Sequence, residues 1–441
     1  MPEQLTTMIV GQGAREHAIL DAHERSPEVE KVIVAPGNDF MTHTARKEVV
    51  REPGASLTDV ASVVEAAKKH QPDFVEVAQD DALAAGMVDT LREKGFTAFG
   101  PTRDAARIEW DKGWSREFMR RRGIPTPQFE VFDDPDTAKE YVSQAYENGT
   151  RELFVKAAGL CAGKGALKAR SLRQALERID QMKQFGEAGR RFVIEYALAG
   201  EEFSYYAISD GKRVRTFKSA QDNKLSHDGD AGEQTGGMGA AAPALATAGL
   251  ESRIERELIE PALYGLAKEA RPFQGILYLG GVIGADGRLA PIEYNARWGD
   301  PEAQAIVPGI YDYAEMVRTA AEGDISRDTL REDDLTRVCV VGAIKGYPGA
   351  YEKGLEIRGL DRAMQVPGVR VFGAAIVTED GKLYSDGGRL FSVVGEGDDT
   401  DAAAERAYEA ASYVSIEGDN LHYRSDIARR DRERLRAATR T

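Results

Sequence analysis

Within roughly its first hundred residues the chain alternates short apolar runs with amphipathic stretches of helical period, and few folds accommodate that rhythm. The pattern predicts strands over 8–10, 32–35, 74–77 and 96–99, with helices over 16–24, 57–69 and 82–94. Short strands separated by whole helices do not close as hairpins; they build a parallel sheet with helices on both faces. Pro101 closes this unit, and a polar helical stretch from Arg103 runs into the stiff connector Ile124-Pro125-Thr126-Pro127.

From Phe129 the rhythm changes. Strand-like segments at 153–156, 192–195, 203–208, 214–217, 276–283 and 289–294 are joined mostly by turns, and Ser209-Asp210-Gly211 and Ala285-Asp286-Gly287 carry hairpin signals. Helices at 171–183 and 251–268 make this an α+β lobe. Segment 228–239, rich in Gly and Asp and without apolar period, reads as a polar loop that is either mobile or ordered by a ligand. Beyond about Asp333 a third unit follows, with strands at 338–344, 371–377 and 390–394, a turn at Asp380-Gly381 and an Ala-rich helix at 401–412. Residues 429–441 read as a charged helical tail with a solvated face. A chain of 441 residues suits two to four such lobes.

Lysine and arginine number 58 against 73 aspartates and glutamates, a formal net charge of −15. Bulk electrostatics therefore argues against nucleic acid or an anionic membrane as partner, while leaving room for a local basic cleft that holds phosphates. No run of 18 apolar residues exists to span a bilayer, and the N-terminus lacks a basic region followed by an apolar one. The two cysteines, Cys161 and Cys339, are far apart and have no zinc-cage spacing; Cys339 sits in an apolar run as a small hydrophobe. The expectation is a reduced, soluble, cytoplasmic protein.

Four stretches carry chemistry. The first strand runs into Gly11-Gln12-Gly13-Ala14-Arg15-Glu16-His17, where glycines at a strand-to-helix turn let backbone N–H groups meet an anion. The third glycine of a dinucleotide fingerprint is missing, and the second strand ends in Ala35-Pro36-Gly37-Asn38 without the acid that grips a ribose. A nicotinamide oxidoreductase is thereby disfavoured, whereas a phosphate site for a smaller ligand survives. Arg15 would add charge to it, and His17 would pack or cap.

Second, a strand ends at Lys156 and is followed by Gly159-Leu160-Cys161-Ala162-Gly163-Lys164-Gly165. A strand lysine beside a flexible run of backbone donors can hold polyphosphate. Ala158 stands where a P-loop needs its first glycine, and no Ser or Thr follows Lys164, so a P-loop NTPase is disfavoured. A plain turn between strands is the competing reading. Third, Val193-Ile194-Glu195-Tyr196-Ala197-Leu198 runs out into Gly200-Glu201-Glu202, where backbone groups could meet an adenine edge and a carboxylate could accept from a ribose. Fourth comes Ile292-Glu293-Tyr294-Asn295-Ala296-Arg297-Trp298-Gly299-Asp300-Pro301-Glu302. Strand residues two apart share a face, so Glu293 and Asn295 present two oxygens to one point, as a hard cation requires. Arg297 could meet a carboxylate or phosphate, and Asp300 either caps the following helix or contacts a substrate.

In order and spacing these stretches resemble the ATP-grasp ligases, and the surrounding words narrow the resemblance to the glycinamide ribonucleotide synthetase (phosphoribosylamine–glycine ligase) family. They include Leu83-Ala84-Ala85-Gly86, Phe99-Gly100-Pro101-Thr102, Ala220-Gln221-Asp222, Thr235-Gly236-Gly237-Met238-Gly239-Ala240, Gly346-Tyr347-Pro348-Gly349 and Gly387-Gly388-Arg389, and the match runs from about Met8 to Ile427. The resemblance implies an α/β and α+β multi-lobe fold: a Rossmann-like substrate lobe over 1–104, an ATP-grasp body over 105–332 with a small mobile subdomain at about 128–197, a C-terminal β-rich lobe over 333–427, and the tail 428–441.

It also implies roles. Lys112 and Lys156 contact ATP phosphates, and Gly159, Gly163, Lys164 and Gly165 belong to a lid; Glu195 and Leu198 hold adenine, and Glu202 the ribose. Glu293 and Asn295 ligate Mg²⁺ or Mn²⁺, Arg297 and Asp300 are catalytic, and substrates lie near Gly13, Arg15, Asp222, Met238, Arg297 and Asp300. The reaction implied is ligation of glycine to 5-phosphoribosylamine through a glycyl phosphate, by a monomer or weak homo-oligomer. The sequence departs from the family pattern at Ala14, Ala78-Gln79-Asp80, Ala158, Tyr196-Ala197 and Asn223. Those departures keep open a related ATP-grasp ligase with a different acid or amine; a nucleotide-binding regulator without turnover is the alternative of another class.

Overall fold

The computed structural model describes residues 4–161, 163–325 and 330–438; Ala162 of the glycine-rich run and residues 439–441 of the tail lie outside the described residues. The first lobe is built on five parallel strands in the order Glu48–Arg51, Val29–Pro36, Leu5–Gly11, Phe74–Val77, Ala98–Phe99. Met8, Ile9, Val32, Ile33, Phe74 and Val75 are completely buried, as expected of strands covered on both faces. The half-exposed edge strand Glu48–Arg51 was not foreseen, because its apolar run is only Val49 and Val50, both partly buried, too short to mark a strand. The predicted helix over 82–94 is two helices, Asp80–Ala84 and Met87–Glu93, parted at Gly86, whose φ of +82° cannot continue a right-handed helix. Strand order reverses between Leu5–Gly11 and Phe74–Val77, so a crevice opens beyond their carboxyl ends. Gly11-Gln12-Gly13 and Ala78-Gln79-Asp80 leave the sheet at that point.

The body carries an antiparallel sheet ordered Val214–Thr216, Glu201–Asp210, Gln274–Ile283, Leu289–Asn295. Both foreseen hairpin turns are present, with Gly211 at φ +91° and Gly287 at φ +75°. The helical segment over 251–268 contains a π-helical stretch, Glu255–Ile259. A separate four-stranded sheet, Phe129–Phe132, Phe192–Tyr196, Leu153–Ala157, Ala166–Ala169, is backed by helices Pro135–Glu147 and Leu172–Gln181. Val142, Leu153, Ile179 and Phe192 form its own small core.

The third unit holds a sheet of Val369–Gly373, Arg389–Gly397, Thr336–Ile344, Gly239–Ala242 and Gln221–Asp222, with Leu421–His422 added on Thr336–Ile344. Two of its strands thus come from the middle of the chain. The single strand expected over 371–377 is divided: Ile376–Glu379 turns away into a second sheet with Lys382–Ser385, Glu356–Arg358 and Ser415–Ile416. The expected loop 228–239 is in part a hairpin of Leu225–His227 and Ala231–Gln234. One hydrophobic core joins Ile9, Leu20, Tyr206, Trp298, Tyr313, Cys339 and Phe372 from all three units, which fixes their mutual placement. The C-terminal helix Arg429–Ala438 is docked, not merely solvated: Asp431 is 1% exposed and accepts from the Leu245 N–H at 3.1 Å. Among the described residues no helix is long and apolar enough to cross a membrane, and both cysteines are free.

Candidate active site

The crevice at the switch point of the first sheet continues between the body, the small four-stranded sheet and the third unit as one cleft of about 870 Å³. Gly13, Arg15, Lys112, Lys156, Gly163, Gly165, Glu195, Glu293, Asn295, Arg297 and Asp300 all line it. Residues read from four separate stretches therefore meet in one space.

At one end stand the lysines. Lys112 opens helix Lys112–Arg122, whose N-cap Asp111 accepts from Trp114 N–H at 2.9 Å, and its Nζ donates to the Gly159 carbonyl at 3.4 Å. Lys156 pairs with Val193 across the small sheet and stands diagonally from Glu195 on the same face, where the two form an ion pair. Glu195 also accepts from Arg116 Nε at 2.8 Å, and Arg116 Nη2 donates to the Ile292 carbonyl at 2.6 Å. The small sheet is thereby tied to the strand that carries Glu293. Burial alone would raise the Glu195 carboxyl, but Arg116 and Lys156 hold it below the usual range. Its carboxylate is committed to these cations and is not free for adenine. The glycine-rich run is both a turn and a cleft wall: Ala157 N–H donates to Gly165 O at 2.8 Å, while Leu160, Cys161, Gly163 and Gly165 face the cleft.

Strand Leu289–Asn295 has a bulge at Ile292, yet Glu293 and Asn295 both reach the cleft. Burial would raise the Glu293 carboxyl; Lys224, Lys156, Lys112 and Arg297 outweigh it and bring it down to about 2. Asn295 is 6% exposed and its amide nitrogen has no hydrogen-bond partner among the described residues. A carboxylate held ionised and an amide side chain two residues along the same strand, both lining the cleft, fit a hard cation taking few protein oxygens. Among the described residues no three His, Cys, Asp or Glu side chains gather into a complete metal cage.

Around Arg297 lies a network of charges. Arg297 approaches Glu109 at 2.6 Å and Asp80 at 4.0 Å, and Glu109 accepts from Ala296 N–H at 2.8 Å. Burial pushes the Glu109 carboxyl up to about 7, against the pull of Arg297 and with the help of Asp80. Arg15 pairs with Glu16 and donates to the Trp298 carbonyl at 3.0 Å. The expected anion site at the first helix is altered, because Glu16 itself takes the Gly13 N–H at 2.7 Å. Asp300 does not cap the next helix: the N-cap position is Pro301, and the Asp300 carboxylate accepts from Gln304 Nε2 at 2.7 Å and Arg389 Nη2 at 2.8 Å. His17 packs, as one of its two readings had it, between Phe40 and Phe372, and accepts from Gly373 N–H at 2.9 Å.

Six of the expected residues do not line the cleft. Leu198 is 38% exposed on the linker, Glu202 turns toward Lys224 at 3.7 Å, and Lys164 is exposed. Gly159 packs against Ala188. Met238 is fully buried, and Asp222 lies behind Gly237 with Oδ1 unpartnered among the described residues. Conversely, Glu109, Lys224, Tyr278, Glu302 and Arg389 line the cleft without having been singled out. Arg389 ends the family-like stretch Gly387-Gly388-Arg389 and Lys224 stands two residues beyond Ala220-Gln221-Asp222, so both were within reach of the sequence; Glu109 sits in a polar helical stretch with no motif to mark it.

Models of the phosphoribosylglycinamide synthetase N domain, ATP-grasp (A) domain and C domain match residues 5–109, 110–303 and 337–430. The chain is 38% identical to the phosphoribosylamine–glycine ligase of Streptococcus pneumoniae over 426 residues, 95% of this chain and 98% of that one. It is 37% identical to the Brucella melitensis ligase of the same name, across 98% of this chain and all of the other. The crystal structure of phosphoribosylamine–glycine ligase from Thermotoga maritima superposes with a TM-score of 0.80 at 30% identity, covering 96% of this chain and 100% of that chain. The biotin carboxylase domain of Hydrogenobacter thermophilus 2-oxoglutarate carboxylase, solved with MgADP, shares the fold at a TM-score of 0.71 and 17% identity, covering 95% of this chain and 92% of that chain.

Proposed function

The chain belongs to the phosphoribosylglycinamide synthetase family, and from that premise we infer that it is an ATP-dependent carboxylate–amine ligase. It joins glycine to 5-phosphoribosylamine, giving glycinamide ribonucleotide, ADP and phosphate in purine biosynthesis. The observation that carries this reading is the convergence of Lys112, Lys156, Lys224 and Arg297 on Glu293 within one cleft. Such a cluster is built to neutralise a polyphosphate next to a cation ligand.

A glycine carboxylate oxygen attacks the γ-phosphorus, the bond to ADP breaks, and glycyl phosphate forms. The amine nitrogen of the acceptor then attacks the acyl carbon, phosphate leaves, and the nitrogen gives up its proton. No nucleophilic side chain takes part; catalysis is positioning and charge neutralisation. Lys112 and Lys156 hold the phosphates. The linker from Glu195 to Leu198 meets adenine, with the Glu195 carboxylate serving Lys156, and Glu202 meets the ribose. The run 159–165 closes over the nucleotide so that water does not hydrolyse the acyl phosphate. Arg297, held by Glu109, and Asp300, held by Arg389, face the reacting groups. Gly13 and Arg15 shape the acceptor end, with Asp222 and Met238 supporting it from behind Gly237. Glu293 and Asn295 would hold Mg²⁺ or Mn²⁺ together with phosphate oxygens and water. When bound, the ion neutralises charge on the transferring phosphoryl group.

The lobes proposed are 1–104, 105–332 with the mobile subdomain at about 128–197, 333–427 and the tail 428–441. The protein is placed in the cytoplasm, as a monomer or weak homo-oligomer. The test is ADP release with product mass, using ATP, Mg²⁺, glycine and phosphoribosylamine generated in situ. A product of the mass of glycinamide ribonucleotide, in step with ADP, is the expected result. ADP release with another acid–amine pair only would assign a related ligase, and ATP binding without ADP under any pair would assign a regulator.

A further inference from the structure

The tail is the stretch that the proposed chemistry leaves unused, and the C-domain match ends at residue 430, just inside its helix. Its contacts are specific. Arg430 and Arg434 lie four apart on one face of helix Arg429–Ala438, while Arg432 pairs with Asp401 on another. Arg430 Nη2 meets Asp230 Oδ2 at 2.6 Å. Arg434 pairs with Glu201, and also with Asp431 at 2.8 Å, which in turn accepts from Leu245 N–H.

Both partners belong to one device. Asp230 is at the tip of the hairpin Leu225–His227/Ala231–Gln234, where Arg424 Nη2 also reaches it at 3.0 Å. Glu201 is at the root: its other oxygen accepts from Gln221 Nε2 at 2.9 Å, and the same amide donates to the Glu202 carbonyl at 3.0 Å. The strand Gln221–Asp222 then leads to Lys224, which lines the cleft, and Gln234, Thr235 and Gly236 line it where the hairpin returns. All four residues of Ala231–Gln234 are exposed, so this strand has no apolar anchor of its own. Besides its ladder with Leu225–His227 and the Glu233 N–H donated to Ser226 Oγ at 3.1 Å, polar contacts at tip and root hold it.

We propose that the C-terminal helix is a positioning element of the cleft, Arg430 fixing the tip and Arg434 the root of the hairpin that carries Lys224 and residues 234–236 to their places. The kinetic part of this inference rests on the ligase reading; the structural part does not. Exposed ion pairs are individually weak and screened by salt, so the effect should appear in binding and fade as ionic strength rises.

The experiment compares the full chain with the double variant Arg430→Gln/Arg434→Gln, with Glu201→Gln as a second route that leaves the helix untouched. Amide hydrogen exchange over 225–236 should quicken about tenfold in both, with the first-lobe sheet unchanged. In steady-state assays KM for ATP and for the amine should rise about fivefold while kcat stays within twofold, and Arg434→Lys should restore KM. The difference should vanish in about 0.5 M salt. Unchanged exchange over 225–236 in both variants would overturn the proposal, as would a fall in kcat at constant KM or a failure of Arg434→Lys to restore KM. If the full chain shows no ligase turnover, the exchange arm alone decides it, and only the ligase reading has failed.

Discussion

Replacing Glu293 by Gln tests the electrostatic centre of the cleft. The surrounding cations bring this carboxyl from 4.5 down to about 2, against a burial penalty of opposite sign. Converted at about 1.4 kcal/mol per unit, the ionised form is favoured by about 3 kcal/mol, and that attraction disappears with the charge. The sign follows from the depressed value: the contribution is complete above about 4.5 and is lost as pH falls through about 2. At pH 7 the ligand-free variant should therefore unfold at lower urea concentration, by about 3 kcal/mol at most, with an unchanged slope. Nucleotide should reverse the order. Lys112, Lys156, Lys224 and Arg297 would face the cleft with one counter-charge fewer, so metal-free ATP should bind the variant at least as tightly as the parent, and raise its stability more. Turnover should fall by at least about a hundredfold, because the proposed cation site loses its anionic ligand and keeps only neutral amide oxygens. Calorimetric ATP titration with and without Mg²⁺, urea melts, and ADP release together read the three effects. Near-normal ADP formation at ordinary Mg²⁺, or weaker metal-free ATP binding, would refute the reasoning.

Glu109 titrates the other way: its value is raised to about 7, so folding takes up a proton between about 4.5 and 7 and stability declines as pH rises through that window. Glu109→Gln should remove that slope from urea melts recorded between pH 5 and 8, while kcat/KM falls because Arg297 loses its ion-pair partner. Gly237→Ala would set a Cβ 2.4 Å from Pro301 Cδ and 2.8 Å from Asp222 Oδ1, at φ +116°, and should cost about 3 kcal/mol of unfolding free energy in urea melts together with most activity. Arg389 bridges the carbonyls of Gly236, Gly237 and Asp300 and the Asp300 carboxylate, all within 3.2 Å. Arg389→Lys should lower kcat/KM by about a hundredfold in steady-state assays, since one ammonium cannot span four acceptors.

Much of this molecule was legible from one dimension. Strand and helix follow from period, and the parallel first sheet follows from their alternation; Phe74–Val77 begins and ends where its apolar run does. The hairpins at Gly211 and Gly287 are local chemistry, as is the pairing of Glu293 with Asn295 on one strand face. Elements with too short an apolar run escaped: the edge strand Glu48–Arg51, and the hairpin over 225–234 that ion pairs help hold together. Where a glycine or a small-residue pair breaks an element, as at Gly86 or between Gly373 and Ile376, apolar period runs through the break and hides it.

What tertiary structure alone decided is which groups are free to act. Sequence placed Glu195 near adenine and left Asp300 between a helix cap and a substrate contact; folding gave the first to Arg116 and Lys156 and the second to Arg389. Sequence had no means to bring Glu109 to Arg297, Lys224 to Glu293, or the tail to Glu201, because the partners lie far apart in the chain and carry no pattern. Local period is set by bonded geometry and the burial of one face, which neighbouring residues share. A charge's partner is set by where three lobes close on one core, and that is a property of the whole chain.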